Sequence, residues 1–150
     1  MNVSRRNEPV STDQIYSDTP SFDGGYTVSQ FYTGYNTKVC DIFGLKTEKD
    51  FITSLHDMIR KRGAMNKLIS DRSQVEISNK VKDVLRHFCI KDWQSEPHFQ
   101  YQNAAERMYQ DVKRNTNTVL NMTGAPGEAW FSCINYVCFI INRMALKSLD

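Results

Sequence analysis

Three carboxylates stand where a hydrolytic or group-transfer site could be built: Asp18, Asp71 and Glu106. Asp18 ends the strand-like run Ile15-Tyr16-Ser17-Asp18, and Asp71 follows the apolar run that ends at Ile69-Ser70. Glu106 opens a helix soon after a third such run. In a mixed fold, strand ends and helix starts at one edge of a sheet bring distant parts of the chain together. Carboxylates converging there repel one another and resist ionisation unless a cation stands among them. Oxygen donors of this kind select hard divalent ions, Mg2+ or Mn2+. Two such ions can activate an attacking oxygen and stabilise a leaving one, which is the chemistry of phosphodiester displacement. On local grounds alone Asp13, Asp23 and Asp41 compete with Asp18. The bland alternatives are a solvated turn carboxylate at Asp18, a cap at Asp71 and the acid of a capping box at Glu106.

Residues 94–117 hold most of the signal. A turn-rich segment with Ser95 and Pro97 runs into Asn103, placed to cap a helix with Glu106 three positions on. Ala105, Met108, Tyr109, Val112, Thr116 and Val119 recur at helical spacing and predict a buried face. Gln110, Lys113 and Asn117 continue the side that begins at Glu106. Lys113 and Arg114 are therefore the candidate phosphate contacts, with Asn103, Gln110 and Asn117 beside them as candidate DNA contacts. Arg107 and Asp111 read as an i, i+4 surface pair. His98, just upstream, reads as a loop histidine without a role.

The elements that must position these residues follow from the rest of the chain. Residues 1–12 are polar and read as a tail, leaving 13–150 as one domain, long enough to bury a core. Residues 15–18, 26–33 and 38–45 read as strands joined by Gly-containing turns, an antiparallel meander. Thr47 and Asp50 resemble a capping box before a helix with Phe51, Ile52, Leu55, Met58 and Ile59 on one stripe, and Gly63 stops it. A strand over 65–69, a helix capped by Ser78, a strand over 90–94 and the Glu106 helix complete the order β-β-β-α-β-α-β-α. That order predicts an α/β fold, a mixed five-stranded sheet flanked by helices. Pro126 can open one more helix, apolar through residue 146 but interrupted by Asn135, Asn142 and Arg143. It reads as a buried or subunit-contacting helix rather than a membrane span.

Net charge is +2, so any nucleic-acid surface must be a local patch. Cys40, Cys89, Cys133 and Cys138 form no CxxC pair and the three histidines are scattered, so zinc is not expected and reduced thiols in an intracellular protein are. The first residues carry no signal-peptide pattern.

With these motifs in place, the chain resembles the catalytic core of retrotransposon integrases, most closely the copia-type group. The resemblance rests on Ile15-Tyr16-Ser17-Asp18-Thr19-Pro20, on Leu68-Ile69-Ser70-Asp71, and on Ser95-Glu96-Pro97-His98 through Gln102-Asn103-Ala104-Ala105-Glu106-Arg107. Thr123-Gly124-Ala125-Pro126 with Trp130 and Asn142-Arg143 resembles the helix that follows in that family. The resemblance implies an RNase H-like fold, with Asp18, Asp71 and Glu106 on the family's metal-binding triad and Mg2+ or Mn2+ as cofactor, two ions. It implies removal of nucleotides from element ends and their joining to target DNA, with water or a 3′-hydroxyl as nucleophile. It also implies a homo-oligomer acting in the nucleus after a cytoplasmic particle stage. The family usually follows its second Asp with an Asn-Gly-type turn and an acidic-aromatic pair; here Asp71-Arg72-Ser73-Gln74 stands instead. The family's zinc-binding and basic flanking domains have no counterpart in these residues, so the reading is of a core alone. A non-catalytic DNA-binding or assembly module derived from such a core is the alternative reading, and a host nuclease of the RNase H type a third.

Overall fold

The computed structural model describes residues 3–70, 78–94 and 100–144. Five strands, β1 (Arg5–Tyr16), β2 (Val28–Gly34), β3 (Cys40–Leu45), β4 (Ala64–Ser70) and β5 (Lys91–Gln94), form one sheet in the order β3-β2-β1-β4-β5. The first three make the expected antiparallel meander; β4 joins β1, and β5 joins β4, in parallel. The helices are α1 (Phe51–Arg62), α2 (Asn79–His87), α3 (Gln100–Thr123) and α4 (Trp130–Ile141). The expected alternation is present, with α4 added after it.

The sheet has a core on each face. Phe51, Leu55, Met58 and Ile59 of α1 and Val81 and Leu85 of α2 pack on Val10, Tyr32 and Leu68. On the other face Val112 of α3 and Trp130, Phe131, Ile134 and Val137 of α4 pack on Phe31, Cys40 and Ile42. The apolar run after Pro126 is thus largely spent on covering the sheet. Among the described residues no helix is long and apolar enough to cross a membrane.

β1 starts at Arg5, so most of the stretch read as a polar tail belongs to the central strand. The alternation that marks a half-buried strand is hidden because its inward positions are mostly polar. Val10 is the one fully buried aliphatic side chain between Arg5 and Thr12, while Glu8 and Thr12 are buried with partners. Glu8 accepts hydrogen bonds from the backbone N–H groups of Asn36 and Thr37 and from the Thr37 hydroxyl, and pairs with Arg6. Burial alone would raise its pKa, but those bonds outweigh it and hold the carboxyl below its ordinary range. Thr12 donates to the Phe31 carbonyl at 2.9 Å and accepts from Gln30. Ser78 caps α2 as expected, accepting from the Val81 N–H. Asp50 makes its half of the expected capping box, its carboxylate reaching back to accept from the Thr47 N–H and also from that of Lys46.

A buried carboxylate ties α1 to the sheet edge. Asp41 of β3 is fully buried and receives Arg62 through Nε and Nη2, at 2.9 and 3.0 Å, and Lys61 at 2.8 Å. Burial opposes ionisation, yet the two cations hold the Asp41 pKa below its usual value. A depressed folded pKa gives stability present above the unfolded value, about 3.9, and lost as pH falls through the folded one. Asp41→Asn is expected to cost about 2 kcal/mol at pH 7, the scale of a hydrogen bond to a charged group. The gap between parent and variant should close on acidification below about pH 4. Denaturant midpoints measured from pH 7 to pH 3 check it; a gap that stays constant contradicts it.

Candidate active site

The pleat of β1 decides which aspartate meets α3. In the β1–β2 ladder Asp13 pairs with Phe31 and Ile15 with Ser29. Directly paired residues share a face, and Phe31 and Ile15 both lie in the core under α3 and α4. Asp13 therefore rises toward α3. There Tyr109 packs edge-on against Phe31, with ring centroids 6.0 Å apart. Burial pushes the Tyr109 phenol up, and the nearby Asp13 carboxylate pushes it further. Glu106 lies one helical turn before Tyr109 and is exposed. Asp13 thus lies on the sheet face that α3 covers, beside Tyr109, and Glu106 stands one turn earlier on that helix.

Asp18 is held elsewhere. β1 ends at Tyr16, and Asp18 is exposed in the connection to β2. Its neighbour Thr19 accepts the indole N–H of Trp130 at 2.8 Å. Trp130 opens α4, whose early turns lie on the later part of α3, where the Cys133 thiol meets the Thr116 carbonyl at 3.6 Å. Glu106 to Thr116 spans on the order of 15 Å of helix axis. Moving from Asp13 to Asp18 therefore leads away from Glu106.

Asp71 and His98 lie outside the described residues. The parallel ladder of β1 and β4 ends at Ser11↔Ile69. That brings the C-terminal end of β4 beside the residues leading into Asp13.

No protein-family model matches this chain. No curated protein matches it in sequence either. Solved structures do match. The chain superposes on the catalytic core domain of HTLV-2 integrase in complex with magnesium (trimeric form) with a TM-score of 0.70 at 15% identity, over 93% of this chain and 87% of that one. The catalytic core domain of BIV integrase gives 0.71 at 13% identity, over 93% and 86%. This chain has the fold of a retroviral integrase catalytic core. A chain in the simian T-cell lymphotropic virus intasome in complex with PP2A regulatory subunit B56 gamma gives 0.75 at 13% identity, over 97% of this chain and 52% of that one. Likeness at such identities is one of fold, here the RNase H-like mixed sheet.

On the integrase-type frame, α3 presents two faces. Val112 and Thr116 are buried and Met108, Tyr109 and Val119 pack beside them, as the periodicity predicts. Gln110, Lys113, Arg114 and Asn117 are exposed. Asp111 pairs with Arg114 at 3.7 Å, where Arg107 was the expected partner. α3 begins at Gln100, three residues ahead of the expected start at Asn103. Glu106 is then an exposed second-turn residue.

Among the described residues no three acidic, histidine or cysteine side chains come together, and Asp71 is not one of those residues. The described part of the candidate set, Asp13 and Glu106, consists of carboxylates, the donor chemistry of Mg2+ and Mn2+. Asp13, which competes with Asp18 on local grounds, is the aspartate on the α3 side of β1. The available signal was parity: a strand continuing through Ile15 puts Asp13 and Ile15 on one face.

Proposed function

We propose that this chain is an integrase-type polynucleotidyl transferase core that trims DNA ends and joins them to a second DNA. In this reading Asp13, Asp71 and Glu106 hold Mg2+ or Mn2+, two ions, and Asp13 takes the role that the motif reading gave to Asp18. The observation that supports it is that Asp13 lies on the sheet face covered by α3, beside Tyr109, one helical turn from Glu106. The ions, when bound, supply charge stabilisation at the attacking and leaving oxygens. Tyr109 and Phe31 keep the surface beside Asp13 apolar, which limits the directions its carboxylate can take. Lys113 and Arg114, with Gln110, Asn117 and Asn103, bind phosphates along the exposed side of α3. The copia-type resemblance supports a retrotransposon origin, and with it a site of action in the nucleus.

The test is incubation of the chain with blunt duplex ends in Mg2+ or Mn2+. Shortened 3′ ends and joined products are expected, and Asp71→Asn should lose both. DNA that is bound but left unchanged in either metal would contradict the catalytic reading and favour a non-catalytic assembly module.

Self-association belongs to the same proposal. α4 leaves Tyr136 and Phe139 about half exposed, at 56% and 50%, beside Ile140. An outward row of large apolar side chains on a sheet-covering helix fits a second copy of the chain. Tyr136→Glu with Phe139→Glu should shift the molecular mass seen by light scattering from dimer to monomer. A parent that stays monomeric at high concentration contradicts this.

A further inference from the structure

The outer edge of β3 is built to receive an extended chain. β3 ends the sheet, with β2 on its inner side alone. Asn142, just past α4, already imitates a neighbouring strand there: its Oδ1 accepts the Cys40 N–H and its Nδ2 donates to the Cys40 carbonyl, both at 2.7 Å. Outward-facing backbone groups recur at every second residue of a strand, so Ile42 and Gly44 turn theirs the same way. Among the described residues no bond to these outward groups is made. From Cys40 to Leu45 the strand has no proline and no register shift against β2, and its one inward charge is Asp41, held by Lys61 and Arg62.

Beside this open stretch lies a cleft of about 360 Å³ whose lining includes Phe43, Gly44, Tyr26, Asp50, Thr53 and Asp57. It combines aromatic surface with two carboxylates. Among the described residues that line it, Lys46 is the one cation. Asp57 has as its ion partner Arg60, 3.6 Å away on a side chain 80% exposed, a weak tie. A cation already uses this aromatic surface from within the chain, since the Lys61 ammonium stands 5.8 Å from the Phe43 ring centroid.

We propose that β3 binds an extended, basic peptide segment of a partner protein as a sixth strand, pairing with Ile42 and Gly44 and placing a Lys or Arg side chain in the cleft against Asp50 and Asp57. Backbone pairing gives such a contact its affinity, and the side-chain pocket gives it selectivity. The site lies at the edge of the sheet away from β4 and is separate from Asp13 and Glu106.

The probe is a short fluorescent peptide of alternating valine and lysine, with an alternating valine and glutamate peptide as control. The lysine peptide should bind at least tenfold more tightly, and the preference should fall about tenfold in Asp57→Asn, a change of equal volume at a half-exposed side chain that leaves the fold intact. Hydrogen exchange on the unmodified protein supplies a second reading: the amides of Ile42 and Gly44 should slow on binding. Equal binding of both peptides, or protection that appears away from β3, overturns the proposal. So does protection of the same amides that grows with protein concentration alone, which would make a second copy the occupant.

Discussion

Asp13→Asn is expected to lower metal-dependent DNA end cleavage about a thousandfold, and Glu106→Gln to do the same, while Asp18→Asn stays within about threefold of the parent. Charge stabilisation by a bound divalent ion is worth several kcal/mol, and each 1.36 kcal/mol is about tenfold in rate. An amide in place of a ligand carboxylate keeps the volume but removes the charge that holds the ion. Asp18 is exposed and sits next to the Thr19 carbonyl anchored by Trp130, so its charge acts on water. Initial rates of nicking for the three variants, with circular dichroism to confirm the fold, separate the two aspartates. A thousandfold loss in Asp18→Asn with Asp13→Asn unharmed would return the site to the motif assignment.

Trp130→Ala should destabilise the protein by about 3–5 kcal/mol, the range for deleting a buried aromatic side chain. Trp130 is 8% exposed, packs edge-on against Phe131 with centroids 5.7 Å apart, and donates to Thr19. Trp130→Phe keeps most of the packing and leaves the Thr19 carbonyl with the Ser17 hydroxyl alone as donor, a loss of about 1 kcal/mol. Urea midpoints for both variants give the numbers. A cost under 1 kcal/mol for the alanine variant would mean that α4 is not docked on the sheet through this residue.

The parts of the fold that were legible in the sequence are those where apolar spacing and burial agree. α1 shows its stripe because Phe51, Leu55, Met58 and Ile59 all enter one core. The inner face of α3 shows because Val112 and its neighbours enter the other. β1 was half hidden because its interior is filled with Glu8 and Thr12, which are buried through hydrogen bonds instead of apolar contact. The choice between Asp13 and Asp18 could not be settled by a motif at the strand end. It depends on how α3 lies along β1, and that follows from contacts such as Phe31 with Tyr109 and Cys133 with Thr116, far apart in the chain. Asn103 shows the same limit at smaller scale, since α3 already begins at Gln100, whereas Asp50 reaches back to the Thr47 N–H as a capping box requires.

The measurement that bears most directly on this account is a crystal structure of the chain grown in Mn2+, with the ion located by its anomalous scattering. Manganese should lie about 2 Å from carboxylate oxygens of both Asp13 and Glu106, the distance expected for a small hard cation on oxygen ligands. Manganese bound to Asp18, or to neither Asp13 nor Glu106, would contradict it.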